Sequence, residues 1–311
     1  MLGAMAAAGV RGMAEFSIPE AAFTGFRVAR RHPRALAIWA ALQLVVSLTF
    51  GLLFMGAAGP ALRALQATGL SPGADPAKTM SLIRSVLPAY AVAMPFVLAL
   101  SAVQTAAMNR VVLAPDQDRF GYLRLGADEA RQFGLLALIL ALFLGVYFGL
   151  VIVVAVIAAI AMAALKVLGD ILVALLVMAA VGVLVYGAVR LSLAPALTFD
   201  TRRIDLPGAW RLTRGRVRPL LLTYLLALAS AVVVYLLSMV IIYAAGALLG
   251  GMNTITRLDV GSIGAYLNPA TLAQIILSAG VSALVLPLTA TPPATIYRRL
   301  VPGIGVAAAF A

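Results

Sequence analysis

The chain has 311 residues, 63% of them hydrophobic and only 11% charged, with Lys and Arg outnumbering Asp and Glu by 23 to 11. A soluble domain is nearer half apolar and a quarter charged, so the composition excludes one and indicates an integral membrane protein. Cysteine is absent and His32 is the single histidine, which removes disulfides, thiolate metal sites and most histidine chemistry.

Residues 1–17 are small and weakly patterned, without the charged-then-apolar order of a signal peptide. They are expected to be disordered, with Met13 as a second candidate start. From Ile18 to Arg31, Ala22, Phe26 and Ala29 recur at helical spacing with Phe23 beside them, and Arg27, Arg31 and Arg34 recur on the opposite side. That pattern predicts a helix lying in the membrane interface. His32-Pro33 should end it, since proline removes a donor and disfavours helix at the preceding residue. The first span is predicted at 35–58, closed by Gly59-Pro60.

Residues 59–86 read as a loop with short helices near 60–67 and 77–86. The second span, 87–112, contains Pro95 and a polar strip of Ser101, Gln104, Thr105 and Asn109. Residues 115–133 repeat the interfacial theme, with Phe120, Leu123, Ala127 and Ala130 apolar and Arg124, Asp128 and Arg131 polar. Gly134 then opens an overlong third span, 135–165. A tight turn at Lys166–Asp170 leads to the fourth, 171–193.

A third interfacial helix is predicted at 206–217, breaking at Arg218-Pro219 into a fifth span, 220–249. After a loop at 250–267, Asn268-Pro269 starts the sixth, 269–291. Pro287, Pro292 and Pro293 should distort its end. A tail follows at 303–311.

The expected fold is therefore all-α and polytopic, with six transmembrane helices and three interfacial amphipathic elbow helices. Sorting basic residues by side puts eighteen with the termini and five opposite, which predicts that both termini are cytoplasmic. The junctions RRHPRALAIW, RQFGLLALIL and RVRPLLLTYL each join a basic segment, a Pro or Gly break and a hairpin. They suggest a threefold internal repeat, 18–112, 116–200 and 205–302, in one membrane domain spanning 18–302. Only Lys78 and Lys166 are lysines, and Ala, Gly, Val and Leu abound. This usage suggests a bacterial source, and with it an inner-membrane location.

Residues 190–219 carry seven arginines against Asp200 and Asp205. Arg190, Arg211, Arg214, Arg216 and Arg218, with Arg27, Arg31 and Arg124 of the other elbows, are the candidate contacts to phosphate or anionic lipid. Arginine suits phosphate through its planar fork of donors, while simple anchoring to anionic headgroups is worth about 1 kcal/mol per residue. Trp210 and Tyr297 fit as interfacial aromatics. Nucleic acid is set aside as a partner, because these arginines flank spans and form no soluble basic domain.

The segments FGYLRLGADE (120–129), RLSLAPA (190–196) and AWRLTRG (209–215) resemble the bacterial membrane-domain family named after glycerophosphoryl diester phosphodiesterases, and related six-span inner-membrane proteins. The resemblance implies a polytopic helical domain. In fused members of that family, hydrolysis belongs to a separate soluble barrel with acidic metal-binding residues. Nothing in this chain matches that barrel, so the enzymatic activity is not carried over.

No catalytic constellation emerges. The eleven acids fall in loops, elbows or helix ends; Asp128-Glu129 are expected to pair with Arg124 and Arg131, and Ser192 has no base near it in sequence. No cofactor or metal is expected. The leading expectation is a non-enzymatic scaffold or accessory that organises lipid or a partner complex, with a protein partner or homo-oligomer possible. The alternatives are a carrier for a lipid or amphipathic solute, with a polar path of Gln104, Asn109, Gln274 and Thr291, and a membrane-embedded lipid enzyme in which Asp116, Asp128 and Asp200 meet.

Overall fold

A computed structural model describes residues 16–68, 75–165, 167–250 and 263–301. The expectations for residues 1–15, the loop tip at 69–74, the turn at Lys166, most of the 250–267 loop and the 303–311 tail lie outside them. Two short helices, α1 (Ile18–Ala22) and α2 (Thr24–Arg31), lead into α3 (Pro33–Thr68). Helix α4 (Pro76–Leu113) returns, and two 3-10 turns, Pro115–Gln117 and Phe120–Tyr122, lead to α5 (Ala127–Leu165) and α6 (Val167–Leu191). Then come α7 (Ala194–Thr201), α8 (Leu206–Leu212), α9 (Val217–Gly250), α10 (Ile263–Tyr266) and α11 (Pro269–Leu300). The protein is all-α and polytopic: α3, α4, α5, α6, α9 and α11 are each long and apolar enough to cross a membrane.

Four helices begin on a polar cap followed by proline. Ser17, Asp75, Asp205 and Asn268 accept the backbone N–H of Glu20, Ala77, Gly208 and Thr271, with Pro19, Pro76, Pro207 and Pro269 in the first turns. Each cap satisfies a donor that has no intrahelical partner. His32 leaves helical geometry (φ −124°, ψ 59°) and Pro33 restarts it, as the sequence predicts.

Several boundaries differ from expectation. The short helices placed near 60–67 and 77–86 are continuous with α3 and α4, which carry Pro60, Pro88 and Pro95 internally. Helix α11 likewise runs through Pro287, Pro292 and Pro293 to Leu300. Spanning helices tolerate proline because neighbouring groups re-satisfy the freed carbonyls. Gly134 does not open a helix, since α5 runs unbroken from Ala127 and the middle elbow is its first turns plus the two 3-10 turns. The third elbow stops at Leu212 rather than Val217: Gly215 turns the chain at φ +76°, and Pro219 lies inside α9. Helix α7 was not anticipated.

The elbows also present unexpected faces. In the first, Ala21, Ala22, Gly25 and Val28 are buried while Phe23 and Phe26 are exposed. A Cβ on Gly25 would lie 2.4 Å from the Leu288 Cα, so only small residues allow α2 to approach α11 this closely, and the phenylalanines are left outside. In the middle one, Ala127 and Ala130 are exposed and Glu129 and Gln132 are buried, because those two meet polar partners from other helices.

Helices α3, α4, α9 and α11 pack together, and the α5–α6 hairpin joins them through α4, α7, α8 and α9. The principal core lies at the elbow end, where Ala21, Val112, Leu135, Val189, Ala194, Ala209, Leu220 and Tyr297 from eight helices pack against one another and their neighbours. The most apolar windows of α5 and α6, by contrast, bury no residue. Glu20 pairs with Arg299, which fixes both ends of the described chain on this side.

Candidate functional site

Two of the returning helices end on the same six-residue pattern, Arg110-Val-Val-Leu-Ala-Pro115 and Arg190-Leu-Ser-Leu-Ala-Pro195. Both arginines are buried at the elbow end, Arg110 at 1% exposure and Arg190 at 5%. Both stack on an aromatic ring, with Arg110 5.7 Å from the Phe199 centroid and Arg190 4.5 Å from that of Trp210. Such stacking is worth roughly 2 kcal/mol when desolvated.

Their remaining partners separate the two. Arg110 donates to the Tyr122 carbonyl at 2.9 Å, pairs with Glu129 and reaches Asp128 at 3.5 Å. Its partner loop is conformationally strained: Phe120, Gly121 and Tyr122 all have positive φ (49°, 62° and 66°), which non-glycine residues adopt at a cost. The turn is held by Trp39 Nε1 donating to the Gly121 carbonyl at 2.8 Å and by the Tyr122 hydroxyl donating to the Pro115 carbonyl at 3.1 Å. Arg110 is therefore a structural cation compensated by carboxylates of its own chain, although its Nε, like that of Arg190, is buried without a hydrogen-bond partner.

Arg190 has no such carboxylate. None of the ion pairs among the described residues involves it, its guanidinium donates no hydrogen bond to them, and its Nε is buried without a partner. Tyr186 lies 5.9 Å from the guanidinium, with its ring edge-on to Trp210 at 5.9 Å. Thr213 ties α8 to the end of α6 by donating to the Arg190 carbonyl at 2.9 Å, which holds Trp210 over the cation. The result is an aromatic box around an uncompensated positive charge, with Trp210, 40% exposed, as its outer wall.

The other candidate arginines are not gathered around it by hydrogen bonds or ion pairs. Arg211 is largely exposed and reaches Asp205 at 4.0 Å, Arg216 donates to the Leu212 carbonyl at 3.3 Å, and Arg214 and Arg218 are exposed. Arg124 donates to Gln117 at 3.3 Å rather than pairing with Asp128, which binds Arg131. Arg27 and Arg31 line a different hollow of about 220 Å³, together with Glu20, His32 and Arg298. Arg298 donates to the Val112 carbonyl at 2.9 Å, joining the ends of α11 and α4 across this hollow. Two basic sites thus lie at the elbow end, one boxed and one open.

The polar-path residues are dispersed. Gln104 lines a cavity of about 480 Å³ among α3, α4, α9 and α11, and Asn109, Gln274 and Thr291 do not. Asn109 and Gln132 instead both donate to the Pro195 carbonyl, at 3.2 and 2.7 Å, and Thr291 donates to the Pro287 carbonyl within its own helix.

Among the acids, Asp128 is taken by Arg110 and Arg131, and Asp200 accepts from Tyr297 at 2.8 Å. Tyr297 is buried by this contact rather than interfacial. The Ser192 hydroxyl accepts from Tyr224 at 2.7 Å and donates to the Val189 carbonyl at 2.8 Å. Among the described residues no group of three His, Asp or Glu side chains is placed to hold a metal.

Arg110 was missed as a buried residue because burial is a tertiary property. The repeated Arg-x-x-Leu-Ala-Pro was the signal that pairs it with Arg190. No protein family, no curated protein and no solved structure matches this chain.

Proposed function

We propose that this is a non-enzymatic protein of a bacterial inner membrane, with termini and elbows in the cytoplasm, that organises anionic phospholipid as a scaffold or accessory. We also place it as a relative of the membrane domains found beside glycerophosphoryl diester phosphodiesterases. The excess of basic residues on the elbow side supports the orientation.

The observation that carries the reading is Arg190. A desolvated guanidinium without a counter-ion is costly, and its twin in the repeated motif, Arg110, is given a carboxylate by its own chain. Glu129 pairs with the guanidinium in one copy, whereas in the other the Trp210 ring lies over it and no carboxylate of the described residues pairs with it, so the missing anion comes from outside. A lipid phosphate has the charge and the planar acceptor pair that a guanidinium fork recognises. The hollow at Arg27, Arg31 and Arg298 serves as a second, weaker headgroup contact.

The test uses Trp210 as reporter, since Trp39 is the only other tryptophan and is 2% exposed. Purified protein in phosphatidylcholine nanodiscs receives increasing phosphatidylglycerol while tryptophan emission is followed. A saturable change that Arg190→Gln abolishes and Trp210→Phe removes supports the reading. Identical titrations of wild type and Arg190→Gln would overturn it.

A further inference from the structure

The cavity among α3, α4, α9 and α11 sits at mid-span. Gln43 follows Pro33 by ten residues and Gln104 precedes Leu113 by nine. At 1.5 Å per residue both lie ~15 Å from the elbow end, about half the thickness of a bilayer core.

Five polar side chains face this cavity: Gln43, Gln104, Tyr235, Ser278 and Ser282. One hydrogen bond joins them, Gln104 Nε2 donating to Gln43 Oε1 at 3.2 Å. The Gln43 amide nitrogen, the Gln104 carbonyl oxygen and the three hydroxyls find no partner among the described residues. On the same α11, Thr289, Thr291 and Thr295 return their hydroxyls to carbonyls one turn back. Ser278 and Ser282, a turn apart, leave theirs facing the cavity. Unpaired donors and acceptors are expensive at this depth, so the lining calls for an occupant that hydrogen-bonds.

The occupant must also be uncharged. No charged residue lines the cavity, and an ion placed at mid-span without a counter-charge is penalised heavily. It must be amphiphilic as well, because Met239, Ile242, Val281, Val285 and Leu286 complete the wall. The volume of about 480 Å³ falls within the range of small-molecule sites. The cavity is partly open, which lets chains emerge between helices.

We infer that this cavity binds a neutral, hydroxyl-bearing glycerolipid of the diacylglycerol class. Its hydroxyl and ester groups meet the two glutamines and the two serines, and its chains run along Val281 and Val285. The site is distinct in depth and chemistry from the Arg190 box.

The experiment is photolabelling in phosphatidylcholine nanodiscs with a diacylglycerol carrying a diazirine on one chain, mapped by peptide mass spectrometry. Label is expected on peptides covering Tyr235–Ile242 and Ser278–Leu286. Unlabelled diacylglycerol should compete and phosphatidylglycerol should not. Gln104→Leu and the double variant Ser278→Ala/Ser282→Ala should each cut the label about tenfold. Arg190→Gln should leave it unchanged, which keeps failure here separate from failure of the Arg190 reading. Helical content and monodispersity confirm that the variants fold, and the two alanine substitutions remove no apolar packing. Labelling unchanged in both variants, equal competition by phosphatidylglycerol, or label no stronger here than on the lipid-facing α5–α6 hairpin would overturn the inference and leave the cavity to water.

Discussion

Replacing Arg110 by methionine tests the packing of the elbow end most severely. The substitution keeps length and apolar bulk but strands Glu129, 5% exposed, without its counter-charge. Breaking a buried ion pair from one side costs about 3–5 kcal/mol. The lost hydrogen bond to the Tyr122 carbonyl adds about 1 kcal/mol. Asp128, 34% exposed and held by Arg131, adds little. The expected loss is about 5 kcal/mol, a few thousandfold in the folding equilibrium. Glu129→Gln in the same background removes the stranded charge and should restore about 2 kcal/mol or more. Reversible unfolding in mixed dodecylmaltoside and SDS micelles, followed by far-UV circular dichroism, measures both. A single variant within about 1 kcal/mol of wild type, or a double variant that is simply additive, would refute the assignment of Arg110 as a carboxylate-compensated structural cation.

The other expectations follow from neighbouring contacts. Arg190→Met in a dodecylmaltoside micelle free of anionic amphiphile should change stability by no more than about 1 kcal/mol, because loss of the ring stacking is offset by removing an unpaired buried charge; thermal unfolding in that detergent alone, followed by far-UV circular dichroism, reads it. Gly121→Ala should cost about 1–3 kcal/mol, since φ is +62° and the new Cβ would lie 3.1 Å from the Ala35 Cα. Gly25→Val should detach the first elbow from α11, seen as faster trypsin cleavage among Arg27, Arg30 and Arg31. Arg211→Ala should leave unfolding within about 0.5 kcal/mol of wild type, because its partner is 4.0 Å away and the side chain is 78% exposed.

The six spans and the break at His32-Pro33 could be read from the sequence because they follow from local chemistry. Long apolar runs have no soluble alternative, and Ser17, Asp75, Asp205 and Asn268 each precede a residue or two that favours a helix start. The continuity of α5 through Gly134 was hidden because a glycine inside a helix costs only about 1 kcal/mol, less than burying Gln132 and Leu135 on one uninterrupted face returns. The faces of the elbows were misread for a related reason. Helical spacing assigns Phe26 and Ala130 to an apolar side but cannot reveal that α2 meets α11 at backbone distance, or that Glu129 has a guanidinium waiting on α4. Gln104 and Asn109 share a helix and both make hydrogen bonds to other helices, yet one turns to Gln43 beside a cavity and the other to the Pro195 carbonyl, which spacing alone does not reveal. Arg190 was legible as a candidate, and its lack of an ion pair among the described residues was not.

The central claim is that Arg190 receives its anion from the membrane. Native mass spectrometry of the protein released from nanodiscs of mixed phosphatidylglycerol and phosphatidylcholine tests it directly, comparing wild type with Arg190→Gln. The account predicts one phosphatidylglycerol retained at collision energies that strip phosphatidylcholine, and lost in the variant. Equal retention of both lipids by both proteins would contradict it.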